Sequence, residues 1–127
     1  MLRYNKGGEN IKREYEIELI GEGFEKVGHG LAVIGDETRQ KIILTLLGEN
    51  CYPGMRVGEI TEKVCLSRPA VSHHLRILKE EKIIGMREEG TKNYYYLSPD
   101  ESRLTDLKKL VDQIDALLHD PSRRIEK

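Results

Sequence analysis

The stretch LSRPAVSHHLRILKEEKIIG, Leu66 to Gly85, decides the fold. Ser67 is a good helix N-cap, because its side-chain oxygen can accept from the free N–H groups of the first turn, and Pro69 falls inside that turn, where a missing N–H is tolerated. From there polar and apolar residues separate. With roughly 100° of rotation per residue and Arg68 set at zero, Lys79 falls at about 20°, Ser72 at about 40°, Arg76 at about 80° and His73 at about 140°. Ile77, Ala70, His74, Leu78, Val71 and Leu75 fill the arc from about 180° to about 340°. The adjacent histidines therefore have different surroundings. His73 edges the polar stripe, whereas His74 lies within the apolar one and is expected to hydrogen-bond inside the domain.

Upstream, VGEITEKV places Val57, Ile60 and Val64 on one side of a short helix, and Cys65-Leu66 makes a tight connection to Ser67. Two helices joined so closely, the second longer and basic, are the ingredients of a helix-turn-helix. Downstream, IIGMREEGTKNYYYL reads as two β-prone runs around a charged turn containing Gly90, a hairpin signal. Asp36 caps ETRQKIILTLL, in which Ile42, Ile43, Leu46 and Leu47 are expected to form one apolar face and Gly48 the stop. GENCYPG reads as a turn-rich loop. The expected fold is mainly α with a small β-hairpin wing: a winged helix-turn-helix.

The flanks are helical too. Residues 1–10 are polar and read as a frayed start, after which Ile11, Tyr15, Leu19 and Ile20 recur at helical intervals. GEGFEKVGHGLAVIG contains five glycines, so a break in the helix is expected between Gly21 and Gly30. Near the other end, Leu104, Leu107, Leu110, Val111, Ile114, Leu117 and Leu118 form a stripe wide for a lone terminal helix. Pairing across a dimer axis would bury it, with Leu104, Leu107, Val111, Ile114 and Leu118 at the interface. The expected organisation is a flexible segment 1–10, a winged-helix domain with dimerisation helices over 11–119, and a tail from 120 to 127.

At 127 residues and 38% hydrophobic content, one domain is expected, with part of its apolar surface completed by a partner chain. The chain carries 21 basic and 22 acidic residues, so no whole-molecule field draws it onto an anionic polymer, and nucleic-acid affinity has to come from a local patch. Lys63 to Lys79 holds four basic residues and no acidic one. Arg and Lys can meet phosphates or the O6/N7 edge of guanine, Ser72 can donate to either, and the helix N-terminus at Ser67 offers N–H groups to a phosphate. Arg87 and Lys92 flank the hairpin turn, within expected reach of the adjoining groove or backbone. No signal-peptide pattern and no apolar run long enough for a bilayer is evident, so a cytoplasmic protein without a membrane partner is expected, its two cysteines reduced.

Taken together, the Asp-x-Thr-Arg opening, the Ser-x-x-x-x-Ser-His-x-Leu recognition helix and the Gly-tipped wing ending in Tyr-Tyr-x-Leu make a specific signature. From about Leu31 to Leu97 the chain resembles the ArsR/SmtB family of bacterial winged-helix repressors. That resemblance implies a homodimer on operator DNA with inverted repeats, each recognition helix in a major groove, and release on binding an inducer. It also implies DNA-facing roles for Arg68, Pro69, Ser72, His73 and Arg76, in agreement with the helical wheel.

The family's metal sites are not evident. Where its thiolate sensors resemble a Cys-x-Cys on the first helix of the motif, this chain has Arg56 and Gly58, neither a soft-metal ligand. The early histidine of the other family site is missing from the last helix. Asp115 and His119, at i and i+4, are the only pair with metal-like spacing, and Cys51 with Cys65 the only thiol pair. No metal or cofactor is therefore expected, and the inducer is left open, with a metal- or thiol-responsive repressor through those pairs as an alternative. A second alternative is a protein-interaction module, supported by the acidic wing residues Glu88 and Glu89. No catalytic residues are expected, because no serine, cysteine or carboxylate bears a fixed relation to either histidine of the pair.

Overall fold

The structure is a computed structural model that describes residues 7–49 and 51–121. Its elements follow in the order α1 (Gly7–Ile34), α2 (Glu37–Leu47), α3 (Val57–Val64), α4 (Arg68–Glu80), β1 (Gly85–Glu89), β2 (Lys92–Tyr96) and α5 (Leu104–Leu118). They form two compact units. One comprises Gly28–Thr105; in the other, α1 as far as Val27 meets α5 from Asp106 onward.

The larger unit is built by capping and by burial. Asp36 accepts the Arg39 N–H at 3.0 Å to start α2, and Gly48 closes it by donating to Leu44 and Thr45. The Arg56 N–H donates to Glu59 Oε1 at 2.9 Å, so the side chain in the first turn of α3 reaches back to the residue before it. Ile42 and Leu46 of α2, Ile60 and Val64 of α3, and Val71, Leu75 and Leu78 of α4 bury their side chains together with Val33, Met55, Ile83 and Ile84. On α4 these are i, i+4 and i+7 positions, the row that points to one side of a helix. Leu47, expected on the buried face of α2, is instead 63% exposed, as its neighbour Leu44 is at 66%. Beyond α4, Ser102 is buried. Its hydroxyl donates to the Ile83 carbonyl at 2.6 Å and accepts the Leu104 N–H at 3.1 Å, joining the end of the helix-turn-helix to the start of α5.

The wing is an antiparallel pair in the register Gly85↔Tyr96 to Glu89↔Lys92. Gly90, at φ +62, opens its two-residue turn in a left-handed conformation that costs glycine no Cβ clash. The loop before α3 adds an unforeseen rung: Met55 and Tyr95 exchange both backbone hydrogen bonds, at 2.8 and 2.7 Å. Gly54 makes that approach possible. It sits at φ +92, and a Cβ there would lie 2.6 Å from the Tyr95 carbonyl oxygen.

In the smaller unit the expected helix break does not occur, since α1 runs unbroken from Gly7 to Ile34. Its glycines each cost about 1 kcal/mol relative to alanine in a helix interior. Burial opposes that cost, with Val27 and, further along in the larger unit, Val33 each only 2% exposed. Gly23 also lets α5 come close, because a Cβ on it would stand 3.0 Å from Leu110 Cδ1. The helix begins inside the segment read as frayed, at residue 7. Residues 1–6, and 122–127 of the expected tail, lie outside the described residues. No described helix is long and apolar enough to cross a membrane.

Candidate nucleic-acid interface

The turn of the helix-turn-helix is set by one left-handed residue. Cys65 closes α3 at φ 58, ψ 45, with its N–H bonded to the Thr61 carbonyl. Ser67 then takes an extended conformation and accepts the Ala70 N–H at 3.3 Å, starting α4 with Pro69 in its first turn. Because Val71, Leu75 and Leu78 must face inward, the opposite side of α4 is presented to solvent. Ser67, Arg68, Pro69, Ser72, His73, Arg76 and Lys79 are all exposed. Arg76 donates from Nη2 to His73 Nδ1 at 3.1 Å and lies 3.8 Å from Glu80 through Nη1, so it extends along the helix surface. Lys92 is exposed at the hairpin tip, opposite Glu89.

Arg87 is placed differently from the expectation of a side chain reaching out beside the turn. Its Nε donates to the Pro53 carbonyl at 3.1 Å and its Nη1 to Glu89 Oε2 at 2.6 Å. The guanidinium carbon stands 4.4 Å from the Tyr52 ring centroid and 4.6 Å from that of Tyr94. The hydrogen bond to Glu89 is the main cause that holds its pKa above the ordinary arginine value. Nothing local in the sequence pointed to this, since Tyr52 and Pro53 come from the loop that precedes α3.

The two histidines separate as their helical angles require. His73 lies at the exposed edge, while His74 is half-buried and accepts at Nδ1 from Arg39 Nη1 at 3.1 Å. Arg39 also donates from Nε to the Val33 carbonyl at 2.7 Å, so one side chain of α2 ties the end of α1 to the recognition helix. Partial burial lowers the pKa of His74, and the Arg39 charge lowers it further while Asp36 opposes the change. The folded chain therefore binds this proton more weakly than the unfolded chain, whose histidine titrates at about 6.5. Stability from this site is present above about pH 6.5 and is lost as pH falls below that value, where the unfolded chain takes up a proton that the folded one resists. His74→Gln keeps an acceptor for Arg39 and removes the titration. Thermal unfolding followed from about pH 7.5 to 5 should show a shallower loss of stability in this variant than in the natural chain; equal slopes would assign the dependence elsewhere.

Both thiols and the His119 ring of the alternative ligand pairs meet backbone carbonyls. Cys51 Sγ donates to the Leu97 carbonyl at 2.7 Å, and Cys65 Sγ lies 3.8 Å from the Glu62 carbonyl. His119 Nδ1 turns back on its own helix, 2.9 Å from the Asp115 carbonyl and 3.2 Å from its Oδ1. Among the described residues no group of three or more His, Cys, Asp or Glu side chains is arranged to hold a metal ion.

The stripe on α5 divides in two. Leu110 is 2% exposed against the Gly23 side of α1, whereas Val111 and Leu118 are 53% and 60% exposed. Leu107 and Ile114 are half-buried between these edges. Leu104, expected with the interface set, is half-buried and packs against the helix-turn-helix core. On α1, Ile11, Tyr15, Ile17 and Phe24 are exposed as well.

Comparison with known proteins agrees with this architecture. The sequence profile of "Bacterial regulatory protein, arsR family" matches residues 36–84, from the α2 cap through the recognition helix to the start of the wing. An uncharacterized HTH-type transcriptional regulator of Methanocaldococcus jannaschii is 41% identical over 93 residues, which is 73% of this chain and 99% of that protein. The transcriptional repressor SdpR of Bacillus subtilis is 40% identical over 65 residues, 51% of this chain and 68% of its own. In fold, the chain is similar to the homodimeric winged helix-turn-helix DNA-binding domain of a possible ArsR-family regulator from Mycobacterium bovis. The TM-score is 0.51 at 22% identity, covering 84% of this chain and 93% of that one. With its capped helix-turn-helix, its wing and a relative matched over nearly its whole length, this chain belongs to the arsR family of bacterial regulatory proteins and is a winged-helix transcriptional regulator.

Proposed function

We propose that the chain is a dimeric repressor in the cytoplasm that binds operator DNA through the outward side of α4. The observation that carries this reading is the row Arg68, Ser72, His73, Arg76 and Lys79, exposed on the side of α4 opposite three fully buried aliphatics, in a chain whose overall charge is near zero. Arginine and lysine there meet phosphates, and Arg76 or Arg68 meets guanine edges; Ser67 and Pro69 place the helix N-terminus against the backbone, and Lys92 adds a contact from the wing. The partner copy is favoured by the apolar residues that α1 and α5 leave in solvent: Ile17, Phe24, Val111 and Leu118 are each between 46% and 60% exposed. Leu107 and Ile114 continue that row on α5. The similar Mycobacterium bovis domain is described as homodimeric.

The test is a fluorescence-anisotropy titration of a duplex carrying the DNA upstream of the chain's own gene, over a series of salt concentrations. Expected are saturable binding by a species of twice the 14.6 kDa chain mass and a log–log salt slope steeper than about −4, since each neutralised phosphate contributes about −0.9. Absence of binding at low salt, or a monomer in sedimentation at the same concentrations, would overturn the corresponding half of the reading.

A further inference from the structure

We propose that Arg87 is a positioning residue of the DNA-binding surface and not one of its contacts: the guanidinium held between Tyr52 and Tyr94 fastens the wing to the loop leading into the helix-turn-helix, and so fixes where Lys92 stands. The inference rests on the DNA-binding role proposed above. Four contacts converge on this one side chain from three segments: Tyr52 and Pro53 in the loop before α3, Glu89 at the end of β1 and Tyr94 in β2. The third guanidinium nitrogen, Nη2, is shielded from solvent and has no hydrogen-bond partner among the described residues, which leaves the aromatic faces to satisfy it.

The same loop is joined to the wing a second time by the backbone exchange between Met55 and Tyr95. A two-stranded hairpin is marginal in water by itself. The stack and this extra rung give it two attachments to the chain that enters α3, and Lys92 follows the Gly90 turn directly. Arginine is suited to the place in a way lysine is not, because a planar guanidinium stacks on both faces while its edge still donates to a carbonyl and a carboxylate.

The full-length chain with Arg87→Lys, Tyr52→Leu, Lys92→Gln or Arg87→Lys with Lys92→Gln would be titrated against the same upstream duplex over a salt series, and wing amide exchange would be followed without DNA. Arg87→Lys and Tyr52→Leu should each weaken binding about tenfold. Each should also flatten the salt slope by about 0.9, as Lys92→Gln alone does, and adding Arg87→Lys to Lys92→Gln should change nothing further. Exchange over Gly85–Tyr96 should accelerate in both stack variants while α2, α3 and α4 keep their protection. A direct phosphate contact predicts the reverse: Arg87→Lys within about twofold of the natural chain, Tyr52→Leu without effect, and additive losses with Lys92→Gln. That pattern, or unchanged wing exchange, would overturn the positioning role. Failure of the unaltered chain to bind any upstream DNA would instead remove the DNA-binding reading on which it rests.

Discussion

Truncating Leu75 to alanine is expected to cost about 3–5 kcal/mol and to leave much of the chain unfolded near body temperature. Leu75 is 0% exposed and lies between Val71 and Leu78, which are equally buried, so the space left by the lost atoms is walled by side chains already seated in their own contacts. The cost has two parts, lost transfer of apolar atoms out of water and the cavity that partial relaxation leaves behind. A domain of this size has about 5–15 kcal/mol in total. Urea unfolding followed by far-UV circular dichroism should show the midpoint falling steeply with little change in slope. Leu75→Met, which keeps the volume, should cost under about 1.5 kcal/mol. DNA binding should fall with the folded fraction in both variants. A small shift for Leu75→Ala would mean that the inner side of α4 is not the seat of the domain.

Arg76→Ala separates binding from stability in the opposite way. Its partners within the chain are His73 at 3.1 Å and Glu80 at 3.8 Å, and more than half of its side chain is exposed. Exposed pairs of this kind contribute about 0–1 kcal/mol, so the unfolding midpoint should hardly move. Affinity for the operator should drop by about 5- to 150-fold, the range for one lost base or phosphate contact of about 1–3 kcal/mol. The pattern of loss tells which contact it is. If Arg76 meets a phosphate, all duplexes weaken alike and the salt slope loses about 0.9; if it reads a guanine, the slope holds and discrimination at that base pair relaxes. Unchanged affinity would remove Arg76 from the interface and with it the simplest use of the exposed row.

Much of the larger unit is legible in the sequence. Asp36, Ser67 and Gly48 are helix boundary signals that act within three or four residues, and each stands in the structure where its chemistry requires. The separation of His73 from His74 follows from helical rotation alone, and the Arg39 hydrogen bond supplies the partner that a half-buried histidine needs. The wing is readable because its alternating strands and glycine turn are also local signals.

Elsewhere the local signal gives a misleading account. Five glycines argue for a broken helix, yet α1 is continuous, because a helix in a protein is held by the surface it buries and not by propensity alone. A single apolar stripe on α5 proves to have two destinations, Leu110 against α1 and Val111 into solvent, one residue and about 100° apart. Leu47 fits the helical period of α2 but points outward, since the core takes Ile42 and Leu46 of this helix, with Ile43 packed at its edge.

What this sequence determines by itself is therefore everything that depends on neighbours a few positions away: the caps, the helical faces, the hairpin turn and the membership of the arsR family that those motifs carry. Only the tertiary structure decides which members of an amphipathic face are covered and which charged groups are already spent. Arg87 illustrates the difference. As a letter in MREEG it is a cation beside a turn, available to DNA, and its pairing with a ring and a carbonyl more than thirty positions upstream depends on the loop before α3 folding back onto the wing. Local free energies are set by chain geometry, whereas such contacts exist only after the chain has closed on itself.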